Sequence, residues 1–365
     1  MTAPRVVVVG GHSAGHIEPT MNFADALRRL EPTAEITALG TVRGLDTTLI
    51  PARGYPLELI PPVPLPRTLS RALLQTPGRL RDSVQAAGAV LDRVRAEVVV
   101  GFGGYAAGPA YLAARRHGLP IVVHEANVRP GVANRLAARM TTHVFTAAPG
   151  VRLAHATAIG IPLRPAITGL DRPTLRDTAR QRFGLRSDGP VLMVTGGSQG
   201  ARAINAAVSG AAPALRAAGV QVLHITGPQR MVEVPDGEPP YVVVPYVDEM
   251  EYAYAAADFV ICRSGAMTCA ELAAVGLPAA YVPLPLRGGE QRLNAEPVVA
   301  AGGALLVDDT DLDPAWIETT LIPVLTDPGR IAAMSAHASA AGASDADVVL
   351  ARHVLAAVAE RRRFR

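Results

Sequence analysis

Lysine is absent from the 365 residues, so all 35 basic residues are arginine. That excludes a G-x-x-x-x-G-K-[ST] loop and with it a P-loop NTPase. Arginine in lysine's place reads as GC-rich codon usage, with suitability for phosphate contacts as the functional alternative. Cysteine is scarce. Cys262 and Cys269 stand seven apart, one in an apparent core strand and the other in the following helix. No structural disulfide is expected, and a reducing compartment fits. No apolar run approaches the roughly 18 residues of a membrane span. The chain enters its first strand without a signal-peptide pattern, so the expectation is a cytoplasmic protein with at most peripheral membrane contact. Carboxylates at metal-ligand spacing are missing, and Asp308, Asp309 and Asp311 read as a solvated loop. The net charge is only +3, and nothing points to nucleic acid.

What is present is apolar material, 49% of residues, and a length that favours two domains. Val6 to Val9 is a run of β-branched residues suited to a strand buried on both faces. Short strands recur at Ile36–Leu39, Val98–Val100, Ile121–Val123, Val144–Thr146 and near Ile159, with helical segments between most of them. Pro61 to Pro66 holds four prolines and cannot be regular structure. The pattern breaks at Gly160, Pro162 and Pro165, as a linker would. A helical segment, Leu170 to Phe183, follows, and then the alternation restarts at Val191–Val194, Val222–Ile225, Val242–Val244, Phe259–Cys262, Ala279–Val282 and Ala304–Val307. The fold class is therefore α/β, with two Rossmann-like, doubly wound parallel-sheet domains facing each other across a cleft. Residues 1–163 form the first, 164–341 the second, and 342–365 a helix returning toward the first.

Both halves open with a strand, a glycine turn and a helix. Gly10, Gly11 and Gly15 let backbone approach a ligand, although no G-x-G-x-x-G dinucleotide fingerprint is present. His16 lies in the first helical turn, where the dipole disfavours its charged form and leaves it available as a base; a packing role is the alternative. His12 reads as a loop residue. Gly101 to Tyr105 forms either a tight turn or a second glycine-lined wall with Tyr105 pointing in. After the next strand, Asn127 is either a site residue or a cap. Gly196 to Arg202 precedes a helix, so its N–H groups and the Ser198 hydroxyl can cradle a diphosphate. From Tyr246 to Asn294 the chain combines a strand, the turn Arg263 to Thr268, and Glu271 within reach of a ribose diol. Gln291 and Asn294, three apart, share a helix face. A nucleotide-sugar pocket at the carboxyl edge of a sheet results.

Five blocks in this order, Gly11–Pro19, Gly101–Pro109, His124–Asn134, Gly196–Asn205 and Tyr246–Asn294, resemble the MurG family of UDP-N-acetylglucosamine transferases, glycosyltransferase family 28, in its actinobacterial form. The likeness spans Val6 to about Arg352. It implies a GT-B enzyme that moves GlcNAc from UDP-GlcNAc to the 4-hydroxyl of the muramoyl sugar of lipid I, giving lipid II with inversion and without a metal or cofactor. By motif position, Glu271 takes the ribose diol and Val247 the uracil edge. Gly197, Ser198 and Gln199 take the diphosphate. Arg164, Met267 and Thr268, with Ser13 and Gly15, join the donor set, and Gln291 and Asn294 read the GlcNAc hydroxyls. His16 is the base, with Tyr105, Asn127, Asn134 and His12 toward the acceptor and reacting sugar. A lipid acceptor implies docking on the cytoplasmic membrane face. Pro61 to Arg81 mixes leucines with arginines and suits an anionic leaflet, although an ordinary packed helix and loop is the alternative. Cell-wall and division proteins are further expected partners. His12 stands where the family has glycine, and Arg287 is not expected in close relatives. Both leave open a paralogue acting on another polyprenyl-linked or natural-product lipid. A non-hydrolysing UDP-GlcNAc 2-epimerase shares the fold but needs more acid–base residues than His16. A UDP-sugar-binding scaffold leaves His16, Asn127, Glu271 and Gln291 without work to do.

Overall fold

A computed structural model describes residues 2–63, 72–229, 232–285 and 288–364, with backbone alone at 14 and 72–76. Arg287 and residues 64–71 of the basic–leucine segment lie outside this description. The chain divides into two compact units, Met1–Leu163 with Ser344–Arg365, and Arg164–Ala343.

The first unit is a seven-stranded parallel sheet. In chain order it contains β1 (Arg5–Gly10), α1 (Ala14–Leu30), β2 (Glu35–Gly40), α2 (Asp46–Ala52), β3 (Leu57–Leu59), α3 (Ala72–Arg93), β4 (Val98–Gly103), α4 (Ala107–Arg116), β5 (Ile121–Glu125), α5 (Val132–Ala137), β6 (Val144–Thr146) and β7 (Ala156–Ala158). The strand order is β3-β2-β1-β4-β5-β6-β7. The valine run of β1 shows why such strands are β-branched throughout. Val7 and Val9 join a core with Ala87 and Leu91 of α3 and Ala110 of α4. Val6 and Val8 join another with Ile17 and Met21 of α1. The chain's last helix, Ala346–Arg363, packs on α1 and contributes Leu350, Val354 and Val358 to that second core. Arg29 and Asp347 tie the two helices at 2.7 Å. β3, only three residues long and with no fully buried position, escaped the sequence pattern.

The second unit repeats the plan with six strands. It runs α6 (Pro165–Thr168), α7 (Arg172–Arg182), β8 (Val191–Thr195), α8 (Arg202–Gly210), α9 (Ala212–Ala217), β9 (Gln221–Ile225), β10 (Tyr241–Val244), α10 (Met250–Ala256), β11 (Phe259–Cys262), α11 (Ala266–Ala274), β12 (Ala279–Tyr281), α12 (Glu290–Ala300) and β13 (Ala304–Leu306), followed by the helical segments up to Ala340. The order is β10-β9-β8-β11-β12-β13. Cys262 and Cys269 are both buried and free. In the acidic loop Asp308 and Asp311 are exposed, as the solvated reading has it, with Asp308 paired to Arg292 at the surface, whereas Asp309 is drawn in to pair with the largely buried Arg263. In each sheet the winding reverses once, between β1 and β4 and between β8 and β11. Ligand crevices of doubly wound sheets open at such points, beyond the carboxyl ends of the strands.

Candidate active site

In the first unit, β1 and β4 are register partners up to Gly10 and Gly103. The turn Gly11–Ser13 therefore lies beside the turn Gly103–Tyr105. Ser13 occupies the N-cap of α1 but makes no side-chain cap bond; its hydroxyl instead lies 3.0 Å from His16 Nδ1. A Cβ on Gly103 would sit 3.0 Å from His16 Cδ2 and 3.1 Å from Nε2, so glycine there lets the imidazole lie against β4. Nε2 has no protein partner among the described residues. His16 is held below the usual imidazole range, chiefly by burial, then by the neighbouring His12, with Asp46 opposing. The direction agrees with a base at the head of a helix, but burial is its main cause.

His12 adopts a left-handed backbone, φ 78°, a conformation that glycine takes freely and most residues avoid. Two contacts hold it. Its N–H donates to Asp46, and its ring packs edge-on against Tyr105 with centroids 4.7 Å apart. Asp46 is 1% exposed and also accepts the Thr41 N–H at 2.8 Å. Sequence reasoning passed over Asp46; no local signal ties it to a turn 34 residues earlier.

Behind this wall the structure corrects one expectation. Asn134 is fully buried, and its amide is occupied. Its Oδ1 accepts the Tyr111 hydroxyl at 2.8 Å, while Nδ2 donates to Glu125 at 3.0 Å and to the His124 carbonyl at 3.2 Å. It braces the site rather than facing a ligand. Glu125, missed from sequence, also accepts the N–H groups of Asn127 and Gly131 at 3.0 and 2.9 Å. Burial raises its pKa against those hydrogen bonds. Asn127, half-buried, is thereby fixed in its loop. Gly15 is exposed at the head of α1.

In the second unit, β8 and β11 pair up to Thr195 and Cys262, which brings Gly196–Gly200 beside Arg263–Thr268. A Cβ on Gly196 would lie 2.1 Å from the Ala201 nitrogen, and Gly197 takes φ 81°. Ser198 and Gln199 are exposed at the crest of the turn, ahead of α8. Glu271, Met267 and Thr268 share α11, all partly exposed. Glu271 accepts the hydroxyl of fully enclosed Tyr254 at 2.7 Å, and Tyr254 also feels the charge of Arg164, which caps the short α6. Tyr254 is a positioning group for Glu271 that sequence reading missed. On α12, Gln291 accepts the Leu284 N–H at 2.9 Å. Asn294, on the same helix, is 8% exposed and points its Nδ2 at the Ser264 carbonyl, 3.4 Å away, so it is set deeper than Gln291. Val247 is half-buried beside exposed Tyr246. Among the described residues, no three His, Cys, Asp or Glu side chains are grouped as a metal ion would need. No helix among them is long and apolar enough to cross a membrane.

Comparison with known proteins matches two family models: the glycosyltransferase family 28 N-terminal domain over residues 6–146 and its C-terminal domain over 191–350. Among curated relatives, one from Streptomyces avermitilis is 56% identical over 98% of this chain and all of its own length. Another, from Thermobifida fusca, is 57% identical over 96% of this chain and 94% of its own. Both are named UDP-N-acetylglucosamine–N-acetylmuramyl-(pentapeptide) pyrophosphoryl-undecaprenol N-acetylglucosamine transferase. Among solved structures, MurG of Acinetobacter baumannii superposes with a TM-score of 0.78 at 24% identity, covering 98% of this chain and 99% of that one. A UDP-GlcNAc 2-epimerase from Neisseria meningitidis reaches 0.66 at 14% identity, over 96% and 99%. Fold alone is thus shared between transferases and epimerases, and sequence identity separates them.

Proposed function

Because the chain belongs to glycosyltransferase family 28, we propose that it transfers GlcNAc from UDP-GlcNAc to the muramoyl 4-hydroxyl of undecaprenyl-diphosphate-MurNAc-pentapeptide, forming lipid II and UDP. The observation that carries this reading is the 56% identity with a transferase so named over 98% of the chain. The second unit holds the donor. Ser198 and the N–H groups ahead of α8 receive the diphosphate, Arg164 adds positive charge as the leaving group gains negative charge, and Glu271, steadied by Tyr254, takes the ribose diol. Val247 meets the uracil edge, and Gln291, with Asn294 behind it, reads the sugar.

The first unit supplies the base. The acceptor hydroxyl is a poor nucleophile until its proton is removed. In the tautomer with Nδ1–H donating to Ser13, Nε2 of His16 takes that proton. The hydroxyl oxygen bonds to C1 of GlcNAc from the face opposite the diphosphate, and the C1–O bond breaks with its electron pair leaving on UDP. The outcome is inversion with no metal required. Tyr105, His12 and the loop of Asn127 shape the acceptor side. A lipid-linked acceptor calls for docking on the cytoplasmic membrane face, and the leucine–arginine stretch Pro61–Arg81 has the composition for it. His12, an imidazole at a left-handed turn position, supports the second reading, a different polyprenyl-linked acceptor.

The test is UDP release from UDP-GlcNAc with a short-chain lipid I analogue, beside no-acceptor and UDP-GalNAc controls. Acceptor-dependent release with the disaccharide confirmed by mass is the expected result. UDP-GlcNAc binding without transfer to that analogue transfers the reading to the other acceptor.

A further inference from the structure

Among the buried carboxylates that the mechanism leaves unused, Asp46 lies nearest its proposed base. Asp46 opens α2, is 1% exposed, and lies under the glycine turn that carries His12 and leads to His16. The turn is built around it. A Cβ on Gly11 would lie 2.6 Å from Asp46 Oδ2, and one on Gly40 would lie 2.9 Å from the same atom. Oδ1 receives the His12 N–H and Oδ2 the Thr41 N–H. Among the described residues no arginine stands within ion-pair distance of this carboxylate, in a chain with 35 arginines. A bracing role alone needs only acceptors, which neutral side chains supply. A charge kept out of water with no arginine beside it acts on whatever titrates nearby.

What titrates nearby is His16. The charged or titratable groups acting on its ring are His12 from the turn and Asp46 from α2. From β4 it meets Gly103, beyond which lies the neutral amide of Asn134; Glu125 and Tyr111 are hydrogen-bonded to that amide and fully enclosed. On its own helix, Ser13 holds Nδ1. We propose that Asp46 is a positioning residue for the transfer: its carboxylate holds the first glycine turn in shape and supplies the negative charge that stabilises His16 as it takes up the acceptor proton. This rests on His16 being the base. Burial and His12 disfavour the imidazolium, and Asp46 is the one charge working the other way. Positive charge grows on His16 in the transition state, so a fixed anion with no reorganisation to undergo lowers that barrier.

The experiment uses the full chain with UDP-GlcNAc and the lipid I analogue, recording kcat and kcat/KM against pH for wild type, Asp46→Asn, His12→Asn and His16→Ala. Asp46→Asn removes the opposing charge, so His16 protonates only at lower pH. The acid limb of kcat/KM moves to lower pH, and plateau kcat falls on the order of tenfold, a fraction of the 100-fold or more that a general base contributes. KM for UDP-GlcNAc stays put. His12→Asn keeps a side chain that tolerates left-handed backbone and removes the repelling imidazole, so its acid limb moves to higher pH. Should Asp46→Asn lose its fold by circular dichroism, Asp46→Ser, small and neutral, replaces it. A folded neutral variant whose limb stays in place, or whose kcat is unchanged, overturns the proposal. If His16→Ala is dead and the Asp46 limb does not move, Asp46 alone is refuted. If His16→Ala turns over normally, the base reading falls and Asp46 falls with it.

Discussion

The two glycine turns at the sheet reversals begin from one construction and end in different chemistry. Each follows a buried strand and leads into a helix. In the first, Asp46 takes the His12 N–H, Tyr105 covers the His12 ring, and the N-cap hydroxyl of Ser13 turns to His16. In the second, the Gly197 N–H donates to Thr195 Oγ1 at 3.2 Å and the Gly200 N–H to the Gly197 carbonyl at 2.9 Å, and Ser198 stands exposed with no protein partner among the described residues. A strand–glycine–helix turn is a phosphate site only when its donors are left for the ligand. Where a carboxylate fills the turn, the same element carries an imidazole instead.

Breaking the first turn at its chemistry has the largest expected effect. His16→Ala lowers kcat about 100-fold or more while KM for UDP-GlcNAc is unchanged in steady-state UDP release; a raised KM would move His16 to the donor. Breaking the second at its backbone comes next. Gly196→Ala forces Cβ against the Ala201 nitrogen, displaces the turn, and weakens UDP-GlcNAc binding about tenfold, as expected for loss of one charge-assisted hydrogen bond, measured by calorimetry. Gly15→Ala is its counterpart in the first unit. Nothing lies within 4 Å of the added Cβ, so folding is unaffected, and a fall in turnover there reports a ligand pressed against the head of α1.

A buried histidine in each unit sharpens the comparison at the level of stability. His124 donates Nε2–H to the Gly160 carbonyl at 2.8 Å and leaves Nδ1 without a partner, whereas His224 is bonded on both nitrogens, to Tyr241 and Asn205. Burial lowers both to about 4. Their folded values lie below the unfolded one near 6.5, so their neutral forms cost nothing above that pH. As pH falls toward 4 the unfolded chain gains protons that the folded chain refuses. Stability is lost across that window by roughly 3 kcal/mol per histidine. Thermal melts at pH 7.5 and 4.5 measure it, and His224→Asn removes about half of the pH dependence. The smallest effect is His12→Gly, which relieves the left-handed backbone and raises stability by about 1 kcal/mol, visible as a higher melting temperature.

Much of the architecture was legible because its signals are local. Val6–Val9 and Phe259–Cys262 are continuous apolar runs that only a doubly covered strand can bury. Glycine clusters after β1, β4 and β8 mark turns that no side chain could enter. The family blocks placed His16, Ser198 and Glu271 on those turns and helices. β3 left no trace, since three residues with no fully buried position carry too little pattern.

By itself, then, the sequence determined the winding of two parallel sheets, the turns, and the family, all carried by patterns a few residues long. Tertiary structure alone decided which polar groups lie open and which are enclosed as supports. Asp46 reaches His12 across 34 residues, Glu125 gathers a loop, Tyr254 meets Glu271 from another helix, and Asn134 turns inward. Whether a carboxylate or amide is a tool or a brace depends on which donors and acceptors surround it. Those neighbours come from distant elements that only the completed sheet brings into range.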